Sequence, residues 1–184
     1  MAPDERRADL IDVTLRLMRL HGRDVTTRQI AEAAGIAEGT VFRAFATKEE
    51  LIDAALARAF APGDVVARIE EIDPDLPLRA RLVLLVSILQ QRFRATFELM
   101  QKVGLVGPPR HDSDAAQAWR ARQELLFAAV IGSDTDQLRV PATEFAHTLR
   151  LLTFAGSHPL ISDGRLLSPD EIVDTVLLGL QRKA

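Results

Sequence analysis

Between Thr26 and Leu51 the chain reads TTRQIAEAAGIAEGTVFRAFATKEEL. Its chemistry-bearing side chains are cations, hydroxyls and acids, a set suited to recognising a polyanion rather than to making bonds. Arg28 can fork onto a guanine edge or clamp a phosphate. Lys48 opens a helix, where positive charge opposes the macrodipole, a small local penalty that a phosphate partner offsets. Thr26 and Thr27 can cap a helix whose partly positive end is itself a phosphate site. Glu38 repels phosphate but can accept from a cytosine N4 amino group.

These groups need elements to hold them. Arg28 to Ala34 puts Ile30, Ala31 and Ala34 on one small apolar face, and Gly35 then ends the helix, since glycine takes positive φ without a Cβ clash. Helix resumes from about Glu38 to Phe45, with Val41 and Phe45 inward and Glu38, Thr40, Arg43 and Ala44 outward. Neither piece is long enough to stand alone, because nucleation is unfavourable. Two such helices, held by neighbours so that the second is presented outward, form a helix-turn-helix, whose second helix enters a DNA major groove.

The run AEAAGIAEGTVFRAFATKEEL resembles the DNA-binding signature of the TetR family of transcriptional regulators. That signature is a helix-turn-helix followed by an aromatic-x-x-aromatic segment and a Lys at the start of a fourth helix. The resemblance implies a contact set of Arg6, Arg7, Thr27, Arg28, Glu38, Gly39, Thr40, Phe42, Arg43 and Lys48, with Arg6 and Arg7 as a basic arm. Three departures thin the phosphate grip. Ala37 replaces a common Ser or Thr cap, losing a bond worth about 1 kcal/mol. Phe42 lacks the hydroxyl of the more frequent Tyr, and Ala44 stands where His or Tyr is frequent.

Composition bounds the alternatives. With 184 residues, 47 % of them hydrophobic, and no Tyr, the chain suits a helical protein with a sizeable core. The lack of cysteine rules out disulfides and thiolate metal sites. MAPDERRADL has no signal-peptide core, and the longest apolar run, Leu82 to Val86, falls far short of the ~20 residues that cross a bilayer. A cytoplasmic location without membrane partners is expected. Residues 1–60 hold nine Lys+Arg and ten Asp+Glu, and residues 61–184 hold 14 and 16. Charge alone therefore does not suggest DNA; the cations must be sorted onto one face.

Helical periodicity predicts a first helix over residues 4–21, closed by Gly22, and a fourth from the Thr47-Lys48-Glu49-Glu50 capping box to about Phe60. A short helix capped by Asp64 runs to Ile72, and a long one, apolar nearly all round, from Leu78 to Val103. Further helices span Ala115 to Ile131, after the breaker-rich loop Gly104 to Asp114, and Pro141 to Ser157, after the turn Gly132 to Gln137. The last follows the capping box Ser168-Pro169-Asp170-Glu171, with Leu167 and Ile172 as a hydrophobic staple. The fold class is all-α, with about nine helices. The expected domains are a helix-turn-helix head, residues 1–48, and a helical effector-binding and dimerisation body, residues 49–184, joined by the fourth helix.

Phe93, Phe97, Met100, Trp119, Phe127 and Phe154 offer adaptable apolar surface for a ligand pocket, with Gln90 and His147 as its polar fixtures. The resemblance implies a small apolar effector bound among these helices, shifting the fourth helix and changing operator affinity. It also implies a homodimer through the last two helices, at Leu149, Leu152, Val173, Val176, Leu177 and Leu180. The expected function is an effector-responsive repressor, a homodimer on near-palindromic double-stranded DNA. The rivals are a protein-interaction module and an all-helical enzyme with a buried His147. Four scattered His, no H-E-x-x-H, no phosphate-cradling Gly loop and no nucleophile elbow leave no catalytic, metal or cofactor constellation. The nearest, His111-Asp112-Ser113-Asp114, reads as a solvated loop.

Overall fold

The computed structural model describes residues 3–105 and 113–180, without the side chains of 113–120 and 180. The described regular structure is helical: α1 (Pro3–His21), α2 (Thr27–Ala34), α3 (Glu38–Ala44), α4 (Lys48–Phe60), α5 (Val65–Glu70), α6 (Leu78–Lys102), α7 (Ser113–Ile131), α8 (Ala142–Ser157) and α9 (Pro169–Leu180). Short 3-10 turns lie at Gly22–Asp24 and Asp134–Gln137, the latter within the stretch expected as an open turn.

Two compact units result. The first comprises Met1–Ala61 with Thr96–His111, and the second Pro62–Ala95 with Asp112–Ala184. The whole of α4 thus belongs to the first unit, and α6 is shared, its last turns contributing to the first unit and the rest to the second. In the first unit, Leu10, Val13 and Met18 of α1 meet Ile30, Val41, Phe45, Leu51 and Leu56 in one core, which Leu99 and Val103 complete. The second unit buries Leu82, Leu85 and Leu89 of α6 with Phe127, Ile131, Phe145, Leu149, Ile172 and Val176.

The sequence signals for helix ends are mostly where the chain uses them. Ser168 and Glu171 form the reciprocal cap of α9, the Ser168 N–H donating to Glu171 at 2.8 Å and the Glu171 N–H to the Ser168 hydroxyl at 3.2 Å. Asp64, by contrast, makes no side-chain cap, and α5 stops at Glu70, two residues short of Ile72. Pro141 lies at the cap position of α8 rather than inside its first turn. The expected dimer residues also need correction. Leu149, Val173, Val176 and Leu177 are buried in the chain's own core, Leu152 is half-buried, and Leu180 lies outside the described side chains. On the same two helices the exposed apolar side chains are Leu151, Phe154 and Leu178. A 3.6-residue period puts several arcs of a helix in play, and only packing shows which is filled.

Gly22 is where the first unit admits no side chain. Its φ is +63°, and a Cβ there would stand 2.5 Å from the backbone carbonyl oxygen of Lys102. Gly22→Ala should lower the unfolding free energy by about 2–3 kcal/mol through left-handed strain plus displaced backbone. Urea denaturation of the full chain checks this, and an unchanged midpoint would contradict the close approach.

Candidate nucleic-acid interface

The first unit presents α3 between two anchors. At the near end, α2 is capped by a reciprocal pair: the Gln29 N–H donates to the Thr26 hydroxyl at 3.2 Å, and the Thr26 N–H to the Gln29 side-chain oxygen at 2.8 Å. Gly35 closes α2 at φ 66°, ψ 34°, and the Ile36 N–H reaches back to the Ala31 carbonyl at 3.0 Å. No neighbour lies within 4 Å of where a Gly35 Cβ would stand, so the glycine is needed there for its φ alone. Ala37 makes no side-chain cap for α3, as its lack of a polar atom dictates. Instead the Thr27 hydroxyl donates to the Glu38 carboxylate at 2.5 Å, tying the first turn of α3 to that of α2.

The far anchor is Arg7. Its guanidinium lies over the Phe45 ring, 3.9 Å from the centroid, and donates to the Ala44 carbonyl at the end of α3 and to Glu50 at 2.7 Å. It thereby answers a helix C-terminus with a cation and a hydrogen bond together. Glu50 in turn accepts the Ala46 N–H at 2.8 Å, so the chain between α3 and α4 is held from both sides. The capping box read at Thr47 is therefore only half formed. The Thr47 hydroxyl accepts from the Glu50 N–H at 3.0 Å, but the Glu50 carboxylate is committed to Ala46 and Arg7.

With Val41 and Phe45 buried, α3 turns Glu38, Gly39, Phe42 and Arg43 outward. Phe42 is 50 % exposed, a large apolar ring left in water. Thr40 and Ala44, expected to face outward, are half-buried. Arg28 is exposed and donates to Glu32 at 2.9 Å; that hydrogen bond, then the charge of the same carboxylate, raises its pKa above the ordinary guanidinium value. Lys48 is half-buried and donates to the Arg23 carbonyl at 3.2 Å. Arg6 faces Asp9 at 4.0 Å. The two arginines expected to act together thus part ways: Arg7 is engaged inside the unit, a brace that only the tertiary contacts expose.

Of the expected ligand residues, Phe97 and Met100 fall in the first unit, whereas Gln90, Phe93, Phe127, His147 and Phe154 fall in the second. Gln90 is buried and donates to the Leu167 carbonyl at 2.8 Å, fixing the chain as it enters α9. The Phe93 and Phe154 rings meet edge to face at 5.4 Å between centroids. His147 is exposed, so the buried histidine of the enzyme alternative is not there. It shares with Phe127 a shallow cleft of about 50 Å³, well below the ~300–1,000 Å³ of ordinary ligand pockets. Trp119 and the His111–Asp114 loop read as a weak metal candidate lie outside the described side chains. Among the described residues no group of His, Asp or Glu is arranged to hold a metal, and no helix is long and apolar enough to cross a membrane.

Comparison with known proteins bears on the same stretch. Residues 10–55 match the family described as bacterial regulatory proteins, tetR family. Over 95 residues, 51 % of this chain, it is 38 % identical to the HTH-type transcriptional repressor KstR of Rhodococcus jostii, and it spans 42 % of that protein's length. Among solved structures it is similar to a TetR-family transcriptional regulator of Streptomyces coelicolor, at 25 % identity over 96 % of this chain and 79 % of that one, with a TM-score of 0.63. A TetR-family structure from Mesorhizobium loti shares the fold at 15 % identity, covering 99 % of this chain and all of the other, with a TM-score of 0.67.

The Arg7 brace should be visible in a titration. The hydrogen bond from Arg7, then that from the Ala46 N–H, hold the Glu50 carboxyl below its ordinary value of 4.5. A depressed carboxylate contributes stability above its unfolded pKa and loses it as pH falls through the lower folded value. Carboxyl-carbon NMR should place the Glu50 midpoint below 4.5, and Arg7→Ala should move it upward. Arg7→Ala should also flatten the fall in melting temperature on acidification below pH 4.5. A Glu50 midpoint indifferent to Arg7 would dismiss the brace.

Proposed function

From the premise that the chain belongs to the TetR family of bacterial regulatory proteins, we propose that it is a transcriptional repressor that binds a near-palindromic operator as a homodimer and answers to a small apolar effector. The observation that carries the reading is α3 itself: seven residues long, anchored at both ends, with Glu38, Gly39, Phe42 and Arg43 turned outward. A rigid helix with an exposed face is what entry into a major groove requires. Arg43 supplies charge at its far end, Phe42 an apolar ring suited to a thymine methyl, and Glu38 an acceptor suited to a cytosine amino group.

Two heads a helical turn apart, ~34–36 Å or a multiple, would read the two halves of such an operator. The exposed Leu151, Phe154 and Leu178 on α8 and α9 support pairing of two copies through those helices. Effector response is supported by the path of α6. One continuous helix serves the core of the second unit through Leu82, Leu85 and Leu89 and that of the first through Leu99 and Val103. A displacement of α6 or of α4 on ligand binding would reach α3, and coupling of this kind is usually ~1–3 kcal/mol, a 5–150-fold change in DNA affinity. Fragments selected from random duplex DNA should converge on an inverted repeat; no convergence, with affinity indifferent to salt, would favour the protein-interaction module.

Two sets of substitutions divide the reading. Arg28→Ala should lose about 1–3 kcal/mol of discrimination at one base position, whereas Arg43→Ala should weaken all sequences alike and reduce the salt slope by about one. Fluorescence anisotropy on single-base operator variants over a salt series separates them; equal losses at every base for both would leave Arg28 a phosphate contact only. Leu151→Glu combined with Leu178→Glu should turn a dimer into monomer in sedimentation equilibrium, with the helical circular dichroism signal unchanged. A double variant that still sediments as a dimer would move the interface elsewhere.

A further inference from the structure

The Thr27 hydroxyl, expected among the DNA contacts, has a partner within the chain. Thr27 is the first residue of α2 and Glu38 the first of α3. The hydroxyl donates to one Glu38 carboxylate oxygen at 2.5 Å, and the other oxygen makes no hydrogen bond among the described residues. Glu38 is exposed and Thr27 half-buried.

A hydroxyl has a single proton to donate. With that proton directed at Glu38, Thr27 offers only lone pairs outward, and a phosphate, itself an acceptor, gains nothing from them. The bond acts on Glu38 instead. A surface glutamate samples many rotamers, and ordering it on contact with DNA costs entropy. Thr27 restrains the carboxylate beforehand, with one oxygen tied back to α2 and the other left to accept.

Acceptor chemistry then selects the base. In the major groove guanine shows two acceptors, thymine an acceptor and a methyl, and adenine an amino group beside the acceptor N7. Cytosine shows its amino group with no acceptor on the same base. A carboxylate can only accept, so guanine and thymine repel it, adenine opposes it in part, and cytosine alone suits it. Arg28 follows Thr27 in the chain. Its pKa is raised first by the hydrogen bond and charge of Glu32 and then by the charge of Glu38, so a cation lies within electrostatic reach of the acid that approaches DNA.

We propose, on the DNA-binding reading of α3, that Thr27 is a positioning residue that aims the Glu38 carboxylate at a cytosine amino group, and that each operator half-site carries a cytosine at that place.

The test selects duplexes from a random library with the full chain and, in parallel, with Glu38→Ala, Thr27→Val and Thr27→Ser. The unsubstituted chain should enrich a cytosine at one position of each half-site. Glu38→Ala should lose that preference alone, and the rest of the motif, retained, reports a folded head. Thr27→Val should reduce the same preference about five- to tenfold, and Thr27→Ser should restore it. In the selected duplex, N4-methylcytosine at that position still pairs with guanine but turns a methyl toward the groove. It should lower the affinity of the unsubstituted chain about tenfold and leave that of Glu38→Ala unchanged. A cytosine preference that survives Glu38→Ala, an inverted repeat without a cytosine preference, or a Thr27→Val loss spread evenly over all sequences would each overturn the proposal and leave the operator reading standing. A library in which no sequence is enriched would remove both.

Discussion

A helix of seven residues does not hold its shape in water, and α3 is that short. Whatever the first unit does with α3, it must supply from outside the helix the order the helix cannot supply itself. Val41 and Phe45 anchor it by burial, the Thr27–Glu38 hydrogen bond fixes its first turn, and Arg7 closes its last. The same Arg7 stacks on Phe45 and pairs with Glu50, so one side chain from α1 joins α3 to the start of α4. The exposed face of α3 is defined by what these anchors leave over.

The charge balance of the head follows the same logic. Residues 1–60 carry one more acid than base, and several of their acids are placed against local partners: Glu32 with Arg28, Glu50 with Arg7, Asp12 with Arg58 at 3.7 Å, and Glu38 with a hydroxyl. Exposed pairs of this sort contribute little to stability. Their consequence is electrostatic: each ion pair is locally neutral, so the field beside α3 is set by the charges outside such pairs, among them Arg43, exposed on the outward face.

In the second unit the polar side chains buried in the core are fixtures of the fold. Gln90 holds the approach to α9 and Arg81 the end of α7, while on the surface Arg79 bridges Asp170 and Asp174 at 2.8 and 2.7 Å, holding the Asp174 carboxyl below its ordinary range. Arg81 differs in that its Nε is buried and reaches no acceptor among the described residues, while its terminal nitrogens close the end of α7 and pair with Asp134. It was hidden in the sequence within LRARLVLL, where an arginine on the apolar side of a helix looks like a surface residue until the ends of other helices are placed around it.

What the order of residues determined by itself is local. Short-range signals announced most of the helix boundaries, the Ser168 cap and the Gly35 turn, and narrowed the cap of α2 to Thr26 or Thr27, because each depends on groups within four residues of one another. Long apolar periods likewise announced an all-helical chain, and AEAAGIAEGTVFRAFATKEEL announced the helix-turn-helix. What the tertiary structure alone decided is which arc of each helix is filled and which partner a long cation chooses. Arg7 reaches across 37 residues to the Ala44 carbonyl, and Leu149 and Val173 turn into the core where Leu151 and Leu178 do not. Phe97 and Met100 join the first unit although they share a helix with Gln90 and Phe93. A helical period repeats on every face that is apolar enough, and a guanidinium long enough to snorkel has several carbonyls in range, so only the packed chain selects among them.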